Sequence, residues 1–299
     1  MTHGITGTRR ASVAATVALT ASAVIASAAF ASTAQAATPA VPKIVASGGF
    51  VMNDGTAKAL YSKAADTRRA TGSTAKIMTA RVVLAQKNLN LDSKVTIQKA
   101  YSDYIVSKGA SSARLIVGDK VTVRQLLYGL MLPSGCDAAY ALADKFGSGT
   151  TRAARVKSFI GKMNASAKSL GLKNTHFDSF DGISNGSNYS TPRDLTKIAS
   201  STMKNSTFRS IVKTKSTKQK VTTKSGGYRY MSWTNTNKLL STYSGMIGVK
   251  TGSGANAKYC LVFAATRSGR TVIGAVLAST SETTRTSDVK KLLDYGFKK

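Results

Sequence analysis

Apolar and β-branched residues first cluster in two short segments, at about 45–53 and 58–63. The polar residues Asn53-Asp54-Gly55 lie between them and have a composition typical of a tight turn. This pattern predicts two strands that are joined as a hairpin near the start of the fold.

The spacing of apolar residues then changes to that of helices. From Ser73 to Leu84 the apolar residues recur at helical intervals, which predicts a buried helix. The middle of the chain continues in the same manner, with one helix capped by Thr122 and another that begins at Pro192. Two further helices are predicted at 137–146 and at about 151–169.

The end of the chain returns to β-rich runs, at 246–250, 258–266 and 271–279, which short turns separate. Three such runs in succession favour an antiparallel meander. A last helix is predicted at 287–297. Strands are therefore expected from both ends of the chain, with helices between them.

These elements predict an α+β fold, in which an antiparallel sheet is flanked by helices and carries a mostly helical inserted subdomain. The sheet subdomain is expected at about 43–85 and 206–299, and the helical subdomain at about 86–205. Together they would form a single catalytic domain over 37–299.

The first 36 residues have the composition of a removable export signal. Arg9 and Arg10 form a short basic start, and a run of Ala, Val, Leu and small polar residues follows from Ala11 to Ala31. Ala34-Gln35-Ala36 then has small residues at the spacing that a signal peptidase recognises. A transmembrane anchor is the alternative, but Ser and Thr dilute the apolar run. We expect a secreted protein, extracellular or associated with the cell wall, without a membrane anchor in its mature chain. The twin-arginine and general export routes both stay open.

Basic residues dominate the charge of the chain, with 43 Lys and Arg against 13 Asp and Glu and a formal net charge of +30. A field of this sign attracts polyanions. Because an exported protein meets an anionic cell wall, we expect that partner and no nucleic acid. The other interpretation is that the charges only keep the surface soluble. A local cluster contains Lys213, Lys215, Lys218, Lys220 and Lys224.

Cysteine and histidine are too scarce for a disulfide framework or a metal centre. Cys136 and Cys260 could pair in an exported protein, or both could stay buried as free thiols. His3 lies in the leader, which leaves His176 as the one histidine of the mature chain. A zinc site is therefore not expected, nor is any cofactor, and His176 is interpreted as a structural residue.

A serine nucleophile in such a chain needs lysine as its base. Ser73 and Lys76 lie three positions apart on a predicted helix, so their side chains share one face. Ser73 is at the helix start, where free N–H groups favour a developing oxyanion. A lysine accepts a proton only when it is uncharged, which requires burial and nearby positive charge. The same spacing near residues 210 and 287 is interpreted as surface turns.

Two later segments add polar groups to this pair. Ser134 lies in a turn between two predicted helices, where its hydroxyl can point into a cleft. Lys250-Thr251-Gly252 ends a strand, and glycine there lets a ligand approach the backbone. Lysine and threonine offer a charge and a hydroxyl to a carboxylate, and the strand edge can pair with an extended peptide.

S-x-x-K, a serine triplet and K-T-G, in this order, resemble the signature of the penicillin-binding serine enzymes. The chain is similar to the low-molecular-weight D-alanyl-D-alanine carboxypeptidases and DD-transpeptidases over about 46–297. Most of that family has asparagine where this chain has Cys136, whereas exported actinobacterial DD-transpeptidases carry Ser-Gly-Cys. The segments that match include Thr71-Gly72-Ser73-Thr74-Ala75-Lys76, Ser134-Gly135-Cys136-Asp137 and Gly248-Val249-Lys250-Thr251-Gly252.

The resemblance implies a reaction through an acyl-serine intermediate on peptidoglycan stem peptides that end in D-Ala-D-Ala, with β-lactam antibiotics as inhibitors. Ser73 would attack the carbonyl between the two D-Ala residues, and Lys76 would take its proton. Ser134 would pass a proton to the leaving amine, alone or with Lys250. Water as acceptor gives a carboxypeptidase and an amine gives a transpeptidase, and the sequence does not decide between them.

The same resemblance implies where the substrate binds. The backbone N–H groups of Ser73 and Ser253 would form the oxyanion hole. Thr251 and Arg285 would hold the terminal carboxylate, although a surface ion pair with Asp288 is the other interpretation of Arg285. The expected substrate-binding residues are Cys136, Lys250, Thr251, Gly252, Ser253 and Arg285.

Two other functions stay open at this point. A class A-like β-lactamase shares the motifs but needs a glutamate for deacylation, and the one glutamate of the chain, Glu282, lies beyond the third motif. A weakly active, cationic wall-binding protein of the same fold is favoured by Cys136 and the net charge, and opposed by the intact Ser73 and Lys76. A monomer is expected.

Overall fold

The structure is a computed structural model that describes residues 39–183 and 186–299, together with residues 8, 11, 12 and 14–16. The predicted export signal at 1–36 therefore lies almost wholly outside the described residues. The described residues of 39–299 belong to one compact unit. Within the described residues, no helix has the length and apolar character needed to cross a membrane.

Strands lie at both ends of the chain and helices dominate its middle, as predicted. The strands are β1 (Gly48–Asn53), β2 (Ala59–Lys63), β3 (Lys94–Thr96), β4 (Lys120–Thr122), β5 (Ser216–Thr222), β6 (Tyr228–Thr234), β7 (Met246–Gly254), β8 (Lys258–Arg267) and β9 (Arg270–Ser279). The helices are α1 (Lys76–Leu84), α2 (Lys99–Lys108), α3 (Val123–Met131), α4 (Cys136–Phe146), α5 (Arg152–Ser169), α6 (Pro192–Met203), α7 (Ser206–Lys213), α8 (Leu239–Thr242) and α9 (Glu282–Lys298), and a 3-10 turn, Gly72–Ala75, precedes α1.

The main sheet is antiparallel and has the spatial order β2-β1-β9-β8-β7. The first hairpin and the last meander therefore meet, because β1 pairs with β9 along its whole length. The predicted turn between β1 and β2 is held by Asn53, whose side-chain oxygen accepts hydrogen bonds from the N–H groups of Gly55 and Thr56 at 3.0 and 3.2 Å. The predicted α+β fold is confirmed.

Helices cover both faces of this sheet. On β8, Leu261 and Phe263 pack with Leu292 of α9 in one apolar cluster. The alternate residues of β8, such as Val262, pack with Ile77 of α1 in the other cluster. Because both faces of β8 are buried, polar residues do not alternate with apolar ones along this strand, and its sequence is a nearly continuous apolar run.

Polar caps fix where the helices begin. Thr122 forms a capping box with Gln125 at the start of α3, as the sequence predicts. In contrast, α9 begins at Glu282, five residues before the expected start, because Ser281 forms a capping box with Thr284. The first turn of α9 is polar, so apolar spacing alone does not reveal it.

A second antiparallel sheet, with the order β3-β4-β5-β6, was not expected from the sequence. Two of its strands have only three residues each, and β5 is mostly polar. Its inner side is apolar and includes Trp233, which donates a hydrogen bond to the Ala113 carbonyl at 2.8 Å. The apolar residues of its inner side are Val95, Val121, Val221, Met231 and Trp233.

Candidate active site

Ser73 and Lys76 are brought together by a 3-10 turn rather than by the first turn of an α-helix. Residues three apart in a 3-10 turn lie almost above one another. The Lys76 Nζ atom consequently lies 2.8 Å from Ser73 Oγ. The pairs with S-x-x-K spacing at Ser210 and Ser287 do not lie in surface turns, because they belong to α7 and α9.

Glycines allow three backbone segments to meet around Ser73. A Cβ atom on Gly182 would stand 1.9 Å from the Gly72 carbonyl oxygen. A Cβ on Gly72, which has a φ of 49°, would stand 2.9 Å from the Ser253 carbonyl oxygen, and one on Gly252 would stand 2.9 Å from that of Thr71. Real Cβ atoms do not approach so closely, so only glycine lets the end of β7 lie directly beside the serine turn.

The amine of Lys76 is fully buried and has three neighbours. Besides Ser73 Oγ, Nζ lies 3.0 Å from the carbonyl oxygen of Asp181 and 3.2 Å from Cys136 Sγ. A nitrogen with four tetrahedral positions, one of them taken by carbon, has no room for a fourth polar contact. The amine is therefore fixed in place beside the serine hydroxyl.

Ser134 lies in the turn between α3 and α4 with a φ of 68°, a left-handed conformation that is uncommon outside glycine. Its side chain is buried, and within the described residues Oγ has no hydrogen-bond partner. Its carbonyl accepts a hydrogen bond from Ser111 Oγ at 2.6 Å, and the Cys136 N–H donates to the Ser111 carbonyl at 2.8 Å. The turn is thus held from outside, while the Ser134 hydroxyl remains available to a ligand.

Cys136 and Cys260 are both buried free thiols, so the alternative of a disulfide between them is not what the structure contains. Burial is the main reason that the pKa of the Cys136 thiol is raised, in spite of the nearby charge of Lys76. Burial also raises the pKa of Cys260 to about 11. A thiol with a raised pKa is a poor nucleophile, which agrees with a contact role for Cys136.

Lys250 lies at the centre of β7 and is fully buried behind the cleft. Its amine donates to the Thr251 carbonyl at 3.0 Å. Burial, followed by the positive charge of Lys76, lowers the pKa of Lys250 well below its usual range. Thr251 is held from the other side, because its hydroxyl oxygen lies 2.6 Å from that of Thr236.

Arg285 points into the cleft from the first turn of α9 and is largely buried. The alternative of a surface ion pair with Asp288 does not hold, because Asp288 instead accepts hydrogen bonds from the N–H groups of Val45 and Ala46. The acid beside Arg285 is Glu282, at 3.6 Å. The Arg285 Nε atom has no hydrogen-bond partner within the described residues, which leaves a donor for a bound anion.

One cleft of about 1140 Å³ unites these residues. Lys76 and Lys250 lie buried directly behind its wall, and His176 lines a different cavity. Arg68, Arg69, Lys108 and Lys238 surround the opening together with one acid, Glu282. The expected site residues that line the cleft are Ser73, Ser134, Cys136, Thr251, Gly252, Ser253 and Arg285.

Several residues around the site were not found from the sequence. Ser111 holds the Ser134 turn. Asp181 offers its carbonyl to Lys76, while its carboxylate accepts a hydrogen bond from the Tyr104 hydroxyl at 2.9 Å. These contacts join segments far apart in the chain, so no local pattern could reveal them. The sequence did contain two further segments that match the family, Tyr189-Ser190-Thr191 and Asn235-Thr236-Asn237. The second contains Thr236, which holds Thr251.

A buried Ser-Lys pair between an antiparallel sheet and a helical region, with a lysine-bearing strand edge opposite, defines the class of penicillin-binding serine enzymes. The chain belongs to the D-alanyl-D-alanine carboxypeptidase family, whose family model matches residues 33–281. This confirms the resemblance inferred from the three motifs.

Two curated relatives agree with this family. The D-alanyl-D-alanine carboxypeptidase of Streptomyces sp. strain K15 is 73% identical over 266 residues, which cover 87% of this chain and 91% of the relative. The D-alanyl-D-alanine carboxypeptidase DacF of Bacillus subtilis strain 168 is 33% identical over 84% of this chain. The chain spans 62% of the length of that second relative.

Solved structures give the same result. The crystal structure of the Streptomyces K15 DD-transpeptidase matches with a TM-score of 0.86 and 75% identity, over 87% of this chain and 99% of that one. The carboxypeptidase DacD of Francisella tularensis matches with a TM-score of 0.75 and 30% identity, over 86% of this chain and 71% of that one. The alternatives of a β-lactamase and of a wall-binding protein with little activity are not favoured by these matches.

The lowered pKa of Lys250 has a consequence for stability. At any pH between the folded-state pKa and the higher unfolded-state pKa of Lys250, the unfolded chain binds more protons than the folded chain. The free energy of unfolding therefore rises with pH across this window, which ends near 10.5. We expect Lys250→Met to unfold at a higher temperature than the parent protein at low pH, and this difference should shrink as the pH approaches the upper end of the window. Thermal unfolding curves at several pH values measure this, and a constant difference would contradict it.

Proposed function

We propose that this chain is a serine-type D-alanyl-D-alanine carboxypeptidase and transpeptidase that acts on peptidoglycan stem peptides. The observation that carries the proposal is the 2.8 Å contact between Ser73 Oγ and the buried amine of Lys76. Family membership supports the same chemistry. We also propose that the protein is exported, on the basis of the leader at 1–36, and acts at the cell wall as a monomer.

In the first step Lys76 accepts the proton of Ser73 as Oγ attacks the carbonyl carbon between the two D-Ala residues. The other contacts of the lysine support this direction of transfer. When the amine donates to the Asp181 carbonyl and to Cys136 Sγ, its lone pair faces the serine hydroxyl. The N–H groups of Ser73 and Ser253 then stabilise the oxyanion.

In the second step the peptide bond breaks and the leaving D-Ala amine takes a proton. We assign this transfer to Ser134, whose buried hydroxyl has no partner within the described residues and lines the cleft. Ser134 gives its hydroxyl proton to the amine and takes up the proton that Lys76 received from Ser73, so Lys76 is again uncharged after the step. Lys250 lies behind Thr251, and its amine stabilises the Thr251 backbone by donating a hydrogen bond to the carbonyl. Water or a peptide amine then attacks the acyl-serine and releases Ser73.

The terminal carboxylate of the substrate is assigned to Thr251 and Arg285. Both line the cleft, and Arg285 has a free Nε donor within the part of the chain that is described. Charge-assisted hydrogen bonds from an arginine to a carboxylate are among the strongest in proteins. Burial lowers the pKa of Arg285, but the guanidinium stays charged at neutral pH.

The proposal is tested by product analysis with an N-acylated peptide that ends in D-Ala-D-Ala. We expect release of free D-Ala in water and, when a glycine-type amine is added, a second product in which that amine replaces the terminal D-Ala. β-Lactams should stop both reactions with equal potency, because one acyl-serine serves both. Hydrolysis of nitrocefin with many turnovers and no D-Ala release would contradict the proposal and favour a β-lactamase.

Cys136 gives a more specific prediction. An asparagine there would offer an amide to the substrate backbone, and one neutral hydrogen bond changes a rate by about tenfold or less. We therefore expect Cys136→Asn to change the rate of acylation by about that factor without abolishing it. Progress curves with a fluorescent penicillin measure the rate. Cys260→Asn has no such contact and should leave the rate unchanged in folded protein, whereas complete loss in Cys136→Asn would mean that the thiol takes part in the chemistry.

A further inference from the structure

The second sheet turns a basic and aromatic face towards solvent. Its β5 and β6 strands pair in register, with Lys220 opposite Tyr230 and Lys218 opposite Ser232. Side chains alternate across a sheet, so every second residue lies on the same side. The residues of this outer face are Lys94, Thr96, Lys120, Thr122, Ser216, Lys218, Lys220, Thr222, Tyr228, Tyr230, Ser232 and Thr234.

No carboxylate neutralises this face. The four strands contain no Asp or Glu, and none of the four lysines of the outer face forms an ion pair with a described residue. Two acids lie in the turns that adjoin these strands, and both pair with arginines: Asp92 with Arg124 at 3.4 Å, and the buried Asp119 with Arg229 at 2.9 Å. Four unpaired ammonium groups on one flat surface create a local positive field beyond that of the protein as a whole.

The two tyrosines are large exposed aromatic groups within this field. Tyr228 is 61% exposed and Tyr230 is 54% exposed. Lys220 Nζ lies 4.0 Å from the ring centre of Tyr228, and Lys218 Nζ lies 4.6 Å from that of Tyr230. The rings themselves meet edge to face at 5.8 Å. These contacts place the lysines and rings in one array of cation–π and edge-to-face pairs.

We propose that this face binds a linear wall polymer of polyol units joined by phosphodiesters. Ammonium groups two residues apart on a strand are about 7 Å from one another, which is comparable to the separation of successive phosphates across a three-carbon polyol. Tyrosine rings offer apolar surface to the carbon chain, and the Ser and Thr hydroxyls offer hydrogen bonds to its oxygens. The identification of the ligand as a wall polymer rests on the proposed function. The positive charge of the face and its side-chain contacts are independent of that function.

The outer face of the second sheet is connected to the active-site cleft by a short stretch of chain. The β6 strand leaves the face and reaches Thr236, which lines the active-site cleft, two residues after its end. The path from Tyr230 to Thr236 is about 20 Å at the rise of an extended strand. A polymer held on the face would keep the cleft within reach of neighbouring peptides in the same wall layer.

Other anionic polymers fit the face less well. In nucleic acid the aromatic contribution comes from bases stacked flat on exposed rings. Here an ammonium group covers one face of each tyrosine ring and the two rings meet edge to face, so neither presents the broad platform on which a base stacks, whereas a narrow carbon chain can pack against the exposed ring surface that remains. A polycarboxylate offers charge but no polyol for the rings. Phosphodiester charge and an aliphatic linker together match both parts of the array.

The test measures the affinity of the full chain for poly(glycerol phosphate) by titration at moderate salt. We expect Lys218→Gln with Lys220→Gln to weaken binding about 10-fold, and Tyr228→Ser with Tyr230→Ser to weaken it about 5-fold at constant charge. The matched control is Lys157→Gln with Lys168→Gln on α5, where both lysines are exposed and far along the chain from this sheet. This control should stay within about twofold of the parent.

Several results would overturn the proposal. If the α5 control weakened polymer binding as much as the lysine variants of the face, only the net charge of the protein would matter. Polyglutamate that bound as tightly as poly(glycerol phosphate) would lead to the same conclusion. Single-stranded DNA that binds as tightly and responds to the same variants would replace the wall polymer by nucleic acid. Release of D-Ala from a soluble peptide should be unchanged in the face variants, and Ser73→Ala should bind the polymer as the parent does, so failure of the proposed function and failure of this inference give different results.

Discussion

Ser73→Ala is expected to lose D-Ala release by a factor of about 10⁴ or more. Alanine has no Oγ to form the acyl intermediate, and the remaining donors of the cleft cannot replace a covalent step. The side chain is small and lies in a 3-10 turn at the cleft, so the fold should keep its thermal midpoint. The measurement is the initial rate of D-Ala release at saturating peptide, with the unfolding curve recorded on the same sample.

Ser210→Ala is the matched control for this variant. Ser210 has the same S-x-x-K spacing to Lys213 but lies exposed on α7. We expect parent activity from it. If Ser73→Ala released D-Ala at a rate close to that of the parent, the nucleophile would have to be another residue.

Lys76→Met is expected to slow acylation by about 10³-fold or more. Methionine fills the buried space of the lysine stem but accepts no proton, so the serine hydroxyl loses its base. Burst kinetics with a penicillin separate acylation from deacylation and measure the loss directly. The control is Lys213→Met, which removes an exposed lysine and should leave the rate unchanged.

Lys76→Arg distinguishes a proton acceptor from a positive charge. Arginine keeps the charge but cannot be deprotonated in a protein. If Lys76 is the base, Lys76→Arg should be slowed as strongly as Lys76→Met, and raising the pH should rescue neither. An arginine variant that retained most of the acylation rate would show that Lys76 acts through its charge and that the base lies elsewhere.

The elements with strong local signals could be predicted from the sequence. The side chain of Thr122 caps the start of α3, and the side chain of Asn53 forms the turn over Asn53-Asp54-Gly55. Both features therefore occur where the sequence predicts them. The second sheet could not be predicted, because β3 and β4 are too short for an alternating pattern. Its stability comes from tertiary contacts of Trp233 and its neighbours, which override local preference.

The same distinction applies to the site. Ser73 and Lys76 are close in sequence, so their spacing alone brings them onto one face. Asp181 lies 105 positions from Lys76 and contributes a backbone carbonyl, which any residue type could offer. The close approach of Gly182 to Gly72 likewise follows from the fold and not from a motif. Sequence reasoning therefore identifies the reacting groups, whereas the residues that position them require the structure.

The central claim is that the buried amine of Lys76 makes Ser73 the residue that becomes acylated. Peptide mapping by mass spectrometry after brief exposure to a β-lactam tests it most directly, because the adduct identifies the nucleophile without any assumption about substrate. The account predicts one adduct, on Ser73, in the parent protein and almost none in Lys76→Met. A covalent adduct on another residue, or an unmodified Ser73 after full exposure, would contradict it.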